Sequence, residues 1–367
     1  MNRGETLSNS SRGASNLLWI GEQRRPIKKD RSSDLVMDSV FNYYTSEQPR
    51  LTYKAGQLFL DNGAFTANMK GIQLDTEKVI FVQETFKPNL TIPLDYPFRP
   101  GMSVPQMMKL WQRTAENVLY WQTSTSLNGR LVPALHAWDK KTLIENVEWL
   151  QKNANSEYVA LGSIVNPQFR EYKGFFGDRQ PRKELIDMIC LALSCIEKES
   201  DFRVHLMGFG SSPLMLHLGY YLGVKSTDST GYRRKAAYGK IILPGTGERY
   251  VGETSTDFGV STSLHEDNPR RSRDLALLEK CTCSVCMINK YQLWADWRAR
   301  AIHNEYVMKQ EAKKAERFLA IGIEAYEKYL DNIVFSHSSL KYLWEYAKLR
   351  RKYYRISEAL FEEGGDS

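Results

Sequence analysis

The sequence has no long apolar run. Its longest strongly apolar stretch, residues 189–196, is far shorter than the roughly 18 residues that a membrane-spanning helix requires. Residues 1–13 contain no apolar segment of the kind found in signal peptides. A fixed-period repeat is also lacking, which argues against a solenoid. We therefore expect a protein that enters no membrane, is not exported and acts in the cytoplasm.

Cysteine is scarce and unevenly placed. The chain has five cysteines, and three of them, Cys281, Cys283 and Cys286, fall within six residues. An odd number with this spacing does not fit a disulfide framework. In a reducing cytoplasm such crowding indicates a metal site instead.

The charge balance is only moderately one-sided. Lys and Arg number 50 against 43 Asp and Glu, a formal net charge of +7, which suits a polyanionic partner without requiring one. Hydrophobic residues make up 42% and charged residues 25% of the 367 residues, the ordinary balance of a globular protein. A chain of this length forms one large domain with additions, or two domains.

Short β-prone runs alternate with stretches of helical periodicity between residues 50 and 245. This alternation is typical of strand–helix units on a parallel sheet. The number of units favours an α/β fold of the TIM-type (β/α)8 barrel over an open sheet. Strands are predicted at 57–60, 78–82, 91–94, 131–135, 158–161, 203–207 and 223–226, and helices at 104–122, 141–153, 182–198 and 213–222.

The predicted domain organisation has four parts. Residues 1–34, rich in Ser, Asn and Arg, are predicted to form a flexible basic arm. The barrel is predicted at 35–265, an appended zinc-binding subdomain at 266–310 and C-terminal helices at 311–367. In the last part aromatic residues interleave with Lys and Arg. This pattern predicts an amphipathic helix packed on the barrel or, alternatively, a nucleic-acid contact.

Polar residues follow several of the predicted strands. Asp61, Asp95 and Asp228 follow three of them, and His136 ends the strand at 131–135. Active sites of such barrels lie at the carboxyl ends of the strands, so these side chains are predicted to share the mouth of the barrel. Each aspartate taken alone also fits a helix cap or a turn. Their recurrence at matching positions favours a site.

The three clustered cysteines predict a Cys3His metal site. Three thiolates need one further ligand to complete the tetrahedral coordination of zinc. His303, 17 positions after Cys286, is the preferred fourth ligand, and His265 and His337 are the alternatives. Four protein ligands leave no coordination position for water, so the Zn²⁺ is predicted to be structural.

These motifs together resemble the tRNA-guanine transglycosylases, over residues 50–310. Within that superfamily the chain is most similar to the paralogues that insert 7-deazaguanines into DNA, in phages and in bacterial DNA-modification clusters. The resemblance is carried by residues 61–65, 94–95, 205–210 and 223–228, by Arg233, and by the cysteine motif followed by residues 302–304.

The resemblance implies a role for each residue of the site. Asp228 matches the nucleophile that attacks C1′ of a guanosine nucleotide, expels guanine and forms a covalent glycosyl-enzyme. Asp61 matches the general acid/base that takes the N9 proton of the incoming deazaguanine. Asp95 matches the carboxylate that reads a guanine-like edge. Gly162 and Ser163 match the loop whose backbone N–H groups meet the base O6.

The chain departs from the tRNA enzymes at the base site. His136 stands where they have a base-contacting glutamine, and residues 161–167 lack the glutamate of their corresponding loop. These departures favour a divergent paralogue. The residues predicted to bind phosphates are Arg233, Arg234 and Lys235. Arg270, Arg271 and Arg273 form a second basic group, with solvated surface as its alternative interpretation.

The function predicted from the resemblance is exchange of guanine in DNA for a 7-deazaguanine such as 7-cyano-7-deazaguanine (preQ0). The alternatives are a tRNA-guanine transglycosylase of the queuosine or archaeosine type and a non-catalytic, zinc-stabilised nucleic-acid-binding subunit. The expected partners are nucleic acid, with DNA favoured over tRNA, and a free 7-deazaguanine base. A homodimer is among the assemblies compatible with the sequence. The expected location is the cytoplasm of a bacterial cell or of a phage-infected host.

Overall fold

A computed structural model describes residues 17–99, 101–162, 181–199, 201–251, 271–336, 338 and 340–362. Eight strands of this described part form one parallel sheet. They are β1 (Leu17–Gly21), β2 (Asp30–Ser39), β3 (Lys54–Asp61), β4 (Leu90–Thr91), β5 (Ala134–Leu135), β6 (Tyr158–Leu161), β7 (Arg203–Leu206) and β8 (Ser226–Ser229).

The sheet closes on itself in sequence order. Strands β1 to β4 and strands β5 to β8 each pair with the next along the chain, and β8 pairs with β1. Between β4 and β5 the closure is a single parallel bridge that joins Thr91 to Leu131. There the Thr91 N–H donates to Arg130 O at 2.9 Å, and the Val132 N–H donates to Thr91 O at 2.8 Å. A closed cycle of eight parallel strands is the architecture of a (β/α)8 barrel, so the predicted fold class is confirmed.

Helices pack around the barrel. In the described part they are α1 (Ala64–Met69), α2 (Thr76–Phe86), α3 (Val104–Ser124), α4 (Lys140–Asn153), α5 (Pro181–Glu199), α6 (Pro213–Leu222), α7 (Gly231–Ala237), α8 (Arg271–Glu279), α9 (Ser284–Asn289), α10 (Gln292–Ala295), α11 (Trp297–Ile321), α12 (Ile323–Tyr329) and α13 (Lys341–Glu362). A short 3-10 turn, Val40–Asn42, follows β2, and a π-helical turn, Leu330–Val334, follows α12. Across these described segments, none of the helices combines the length and the apolarity needed to cross a bilayer.

The largest core lies between the outer faces of β5–β7 and the helices α4, α5, α6, α11 and α13. The C-terminal helix α13 contributes Leu343, Trp344 and Ala347, all of them buried. On this face the amphipathic-helix interpretation of the C-terminal segment is confirmed. The Asp187 carboxylate of α5 also accepts a hydrogen bond from Tyr346 at 2.6 Å and pairs with Arg350.

The inside of the barrel has a core of its own, because side chains alternate between the two faces of each strand. Leu18 and Ile20 belong to the outer core, whereas Trp19 between them packs edge-on against Phe59, with ring centroids 5.3 Å apart. Asp61 comes two residues after Phe59, and Asp228 is the register partner of Trp19. Both aspartates therefore share the inner face at the carboxyl ends of their strands.

An appended part follows the barrel. Strands β9 (Lys240–Ile242) and β10 (Glu248–Tyr250) form an antiparallel hairpin, and α8 to α11 follow it. A small core of Ile241, Leu243, Leu278, Leu293 and Ala299 joins the hairpin to these helices. The long helix α11 also contacts α7, which directly follows β8.

Two of the predicted strands need correction. Residues 78–82 belong to helix α2, where the Asp75 side chain caps the first turn by accepting from the Lys78 N–H at 2.9 Å. The strand predicted at 223–226 begins only at Ser226, because Gly223, with φ +116°, ends helix α6. In residues 78–82 the β-branched residues favoured a strand, but burial against the barrel selected the helix.

The basic arm predicted at residues 1–34 is wrong for residues 17–34. They contain β1 and the first half of β2, and Arg31 is buried through ion pairs rather than exposed to solvent. Its guanidinium donates to Glu22 at 2.9 Å and to Glu305 of α11 at 3.0 Å. Residues 1–16 of the predicted arm lie outside the described residues.

Candidate active site and metal centre

The carboxylate of Asp61 lies in the mouth of the barrel at the end of β3. Its Oδ2 accepts hydrogen bonds from the Ser39 hydroxyl and from the Gly63 N–H, both at 3.1 Å. Gly63 has φ +83° and a Cβ there would lie 2.8 Å from the Cβ of Phe41, so only glycine fits this turn. Burial, followed by the nearby negative charge of Asp95, raises the pKa of Asp61 to about 7.

The pKa of Asp61 also reports how the acids are arranged. The negative charge of Asp228 adds to the upward shift, whereas the hydrogen bonds from Ser39 and Gly63 oppose it. The charges of Asp95 and Asp228 therefore both act on Asp61. A carboxyl group with a pKa near 7 can both give and take a proton at neutral pH.

Asp95 is held between two polar side chains. Its Oδ1 accepts from the Asn62 amide at 2.9 Å, and its Oδ2 lies 2.7 Å from His136 Nε2. Because an ionised carboxylate can only accept, the imidazole donates in this contact. His136 is completely buried, and its carbonyl accepts from the Asn146 amide at 2.7 Å. Both oxygens of Asp95 are therefore held by neighbouring side chains.

Gly162 packs against the imidazole of His136. A Cβ at this position would lie 2.6 Å from His136 Cε1, closer than side chains can approach. Its own N–H donates to Leu135 O at 3.1 Å, so this amide is used by the barrel rather than directed at a base. The neighbouring predicted residue, Ser163, lies outside the described residues.

Asp228 is held through one carboxylate oxygen. Its Oδ1 accepts from the Gly208 N–H at 2.6 Å and lies 3.4 Å from Nε2 of the buried His205. Within the described segments no group donates to Oδ2. His205 and Gly208 were not predicted as site residues, because residues 205–210 carried only the family resemblance. Their position at the end of β7, the strand next to β8, is the feature that could have indicated a place beside Asp228.

The predicted phosphate-binding residues fall into two kinds. The guanidinium of Arg233 already has partners within the protein, because it pairs with the buried Glu22 and donates to Arg25 O at 2.6 Å. Lys235 pairs with Glu248 at 2.6 Å. Arg234 is exposed and forms no ion pair within the described ranges. Of the three, Arg234 has the side chain that is available to a phosphate.

The second basic group is only partly described. Arg270 and the side chain of Arg271 lie outside the described residues. Arg273 is half-exposed and lies 3.7 Å from the buried Asp274. Asp274 itself pairs with Arg249 at 2.6 Å.

Cys281, Cys283, Cys286 and His303 form one cluster whose four ligand atoms all lie within 4.8 Å of one another. His303 Nδ1 lies 3.5, 3.6 and 3.4 Å from the three sulfur atoms in that order. With Zn–S of about 2.3 Å and Zn–N of about 2.0 Å, a tetrahedral site has S···N edges of about 3.5 Å. The cluster thus has the dimensions of a zinc site.

The orientation of His303 also suits a metal ligand. Its Nε2 donates to the carbonyl of Ile242 at 2.9 Å, which leaves Nδ1 with its lone pair directed at the thiols. Metal-binding histidines usually have such a partner for the second ring nitrogen. The four predicted ligands are brought together by the structure, whereas His265 and His337, the alternatives, lie outside the described residues.

Comparison with known proteins adds one match. A family model described as queuine tRNA-ribosyltransferase matches residues 60–338, which include every carboxylate of the mouth and the whole Cys3His cluster. No individual curated protein matches the chain.

Proposed function

The chain belongs to the queuine tRNA-ribosyltransferase family, and from this premise we propose that it exchanges guanine in DNA for a 7-deazaguanine such as 7-cyano-7-deazaguanine. Guanine exchange at C1′, a pentosyltransferase reaction, is the activity of the family in general. The arrangement of Asp228 and Asp61 is the observation that supports covalent exchange at C1′. Asp228 has one oxygen without a donor in the described segments, and it shares the mouth with Asp61, whose pKa is raised to about 7.

The exchange proceeds in two displacements. In the first, Asp228 Oδ2 forms a bond to C1′ while the bond from C1′ to N9 of guanine breaks, and the departing N9 takes its proton from Asp61. In the second, N9–H of the deazaguanine returns a proton to Asp61 as N9 attacks C1′ and releases the carboxylate. Two displacements at one carbon retain the anomeric configuration. Covalent catalysis of this kind divides one difficult step into two easier ones.

Asp95 reads the base. A carboxylate held by Asn62 and His136 retains lone pairs for the N1–H and the exocyclic amine of a guanine-like edge. Guanine and 7-deazaguanine share this edge, so one carboxylate serves the leaving and the entering base. The Gly162 N–H already donates to Leu135 O and is not available to a base. His136, which stands beside Asp95 where the tRNA enzymes have a glutamine, distinguishes this base site from theirs.

The base site can be tested through Gly162→Ala. The added Cβ would displace the His136 ring from its 2.7 Å contact with Asp95. Loss of one charge-assisted hydrogen bond costs about 1.5–3 kcal/mol, so we expect KM for the free base to rise roughly 10- to 100-fold, with a smaller change in kcat. Gly247→Ala is the matched control, because its Cβ would meet only ordinary contacts, the nearest at 3.7 Å. An unchanged KM for Gly162→Ala would contradict the role of His136.

The raised pKa of Asp61 predicts opposite pH dependences for the two half-reactions. Adduct formation needs protonated Asp61, so its rate should fall as the pH rises through about 7. Incorporation of the deazaguanine into isolated adduct needs ionised Asp61, and its rate should rise over the same interval. Single-turnover measurements of each half across neutral pH test this. Asp61→Asn should abolish both slopes, and two slopes of the same sign would place the proton transfer on another group.

DNA is proposed ahead of tRNA because the chain most resembles the paralogues that insert 7-deazaguanines into DNA, and the departures at His136 and at residues 161–167 favour a divergent paralogue. The tRNA alternative is favoured by the description of the matching family. Incubation of the protein with labelled 7-deazaguanine base and, in parallel, duplex DNA, single-stranded DNA or total tRNA separates the two. A paired guanine must leave its stack to reach the mouth, so single-stranded DNA should react faster than duplex. Label in tRNA alone would replace the DNA proposal.

A phosphate contact at Arg234 predicts a change in salt dependence. If Arg234 binds one phosphate, Arg234→Gln should reduce the slope of log affinity against log salt by about 1. Lys54→Gln is the control, because it also removes one positive charge. Lys54 is exposed and lies at the opposite end of β3 from Asp61, away from the mouth of the barrel. Equal slopes for the two variants would exclude Arg234 from the nucleic-acid interface.

The Cys3His cluster is proposed to hold one structural Zn²⁺. The donor set and the S···N distances suit tetrahedral zinc, and four protein ligands leave no position for a reacting water. The ion would link α9 and α11 to the hairpin of β9 and β10. It takes no part in the exchange chemistry.

A further inference from the structure

His205 is a buried titratable residue that the proposed exchange does not use. Its side chain is completely buried inside the barrel, and its ring packs edge-on against Phe59, with centroids 4.9 Å apart. Nε2 has no hydrogen-bond partner in the described part of the chain and lies 3.4 Å from Oδ1 of Asp228. A buried nitrogen without a partner is costly, so its direction towards the nucleophile calls for an explanation.

The hydrogen bonds behind His205 determine where its proton lies. The indole N–H of Trp19 donates to Ser226 Oγ at 3.0 Å, and Ser226 Oγ lies 2.8 Å from His205 Nδ1. An indole N–H can only donate, so the serine oxygen accepts from Trp19 and keeps its own hydrogen to donate. Within the described residues, Nδ1 is the one acceptor that lies within hydrogen-bond distance of Ser226 Oγ, so the serine hydrogen is assigned to it. His205 then carries its proton on Nε2, which lies 3.4 Å from Asp228 Oδ1.

We propose that Trp19, Ser226 and His205 form a neutral donor chain that orients the nucleophile by directing the Nε2–H of His205 at Oδ1 of Asp228. The inference rests on the proposed function, because it takes Asp228 as the nucleophile. His205 acts here as a positioning residue. It works with the Gly208 N–H, which donates to the same oxygen at 2.6 Å. Because the Gly208 N–H and His205 Nε2 both lie beside Oδ1, Oδ2 is left as the oxygen that attacks C1′.

The donor chain has a chemical consequence in the second displacement. While the glycosyl ester exists, Oδ1 is a carbonyl oxygen and accepts only weakly. As the base attacks C1′ and the ester bond breaks, negative charge returns to the carboxylate and the hydrogen bond from Nε2 strengthens. A contact of 3.4 Å is long for a hydrogen bond, and catalytic hydrogen bonds commonly shorten along the reaction. The preorganised donor therefore favours release of the carboxylate.

The protonation of His205 can be measured without any activity. In protein labelled with ¹⁵N-histidine, with the His205 signals assigned through His205→Gln, we expect a proton on Nε2 and an unprotonated Nδ1. Ser226→Ala should remove this preference, because nothing then donates to Nδ1. A proton on Nδ1 in the wild-type protein, alone or together with Nε2, would overturn the donor chain.

Kinetics test what the donor chain does. We expect His205→Phe to slow the second half-reaction, which releases the carboxylate, roughly 10- to 100-fold and the first half-reaction less, with nucleic-acid affinity unchanged, since removal of one such donor costs about this much or more in other enzymes. His205→Gln, whose amide can donate, should recover part of the rate. Thermal unfolding and zinc content identify variants that fail for structural reasons.

The double variant gives the sharpest result. If Ser226 acts only through His205, the pair His205→Phe/Ser226→Ala should be no slower than His205→Phe alone. Additive losses, or a wild-type rate for His205→Phe, would overturn the inference. If the wild-type protein forms no adduct with DNA or tRNA, the proposed function fails, while the ¹⁵N measurement still decides whether the donor chain exists.

Discussion

Asp228→Asn is expected to lower the rate of guanine exchange by at least about 10⁴-fold, the scale of loss when a covalent nucleophile is removed. The amide oxygen can still accept from the Gly208 N–H, as Asp228 Oδ1 does at 2.6 Å, so the fold and nucleic-acid binding should be retained. The NH₂ group then takes the place of the attacking oxygen. Label exchange measures the rate, and denaturing gels detect the covalent adduct.

Asp30→Asn is a matched control for this substitution. Asp30 is an exposed aspartate at the start of β2, where its carboxylate accepts from the Ser32 N–H at 3.0 Å, a role that an asparagine can also fill. We expect wild-type exchange and wild-type adduct. A covalent adduct formed by Asp228→Asn would show that another residue is the nucleophile.

The barrel could be predicted from the alternation of apolar runs, but its first two strands could not. Strand β2 begins with Asp30, Arg31, Ser32 and Ser33, a polar run that is typical of a loop. Arg31 is buried there because Glu22 and Glu305 pair with it, and Glu305 lies 274 residues away. Such a pairing exists only in the folded chain, so sequence periodicity contains no sign of it.

Helix α2 shows the opposite case, in which the signal was present. Residues 78–82 are rich in β-branched and aromatic residues, which favoured a strand. Asp75 nevertheless stands at the N-cap, and Val79, Ile80 and Val82 are buried while Phe81 is 48% exposed. An N-cap followed by this spacing is typical of an amphipathic helix. The local composition outweighed the periodicity in the prediction.

The acidic residues of the site could be predicted, but most of their partners could not. Asp61 ends an apolar run and Asp228 lies at the end of a predicted strand, and strand ends meet at one mouth, so sequence order places them together. Ser39, which donates to Asp61 at 3.1 Å, comes from the strand that was predicted to begin in an arm. His205 could be connected with Asp228 only through the pairing of β7 with β8. Partner residues depend on tertiary register, which periodicity does not supply.

Removal of zinc is expected to unfold the appended part of the protein. The small core there, which includes Ile241, Leu278 and Leu293, is limited in size, and structural zinc sites contribute apparent binding free energies of about 10–16 kcal/mol. We expect about one zinc per chain in natively purified protein. A strong chelator, or Cys283→Ser, should lower Tm sharply and release the metal. Elemental analysis and thermal unfolding measure both effects.

Cys195→Ala provides the control for Cys283→Ser. Cys195 is a buried cysteine of helix α5 in the barrel core, away from the Cys3His cluster. The substitution removes one small buried side chain, which should cost about 1 kcal/mol, and zinc content should stay at one per chain. Natively purified protein without zinc, or a chelator that leaves Tm unchanged, would show that the Cys3His cluster holds no structural zinc.

Loss of zinc should also abolish exchange, through the contacts between α11 and α7. His303 donates to Ile242 O, and the next residue, Asn304, accepts from the Ile242 N–H at 2.7 Å and donates to Tyr232 O of α7 at 3.0 Å. Helix α7 begins three residues after Asp228. Release of His303, the proposed zinc ligand, should therefore loosen the segment that follows Asp228, the proposed nucleophile. We expect exchange activity to fall in parallel with the bound zinc as chelator is added. Full activity in zinc-free protein would contradict this connection.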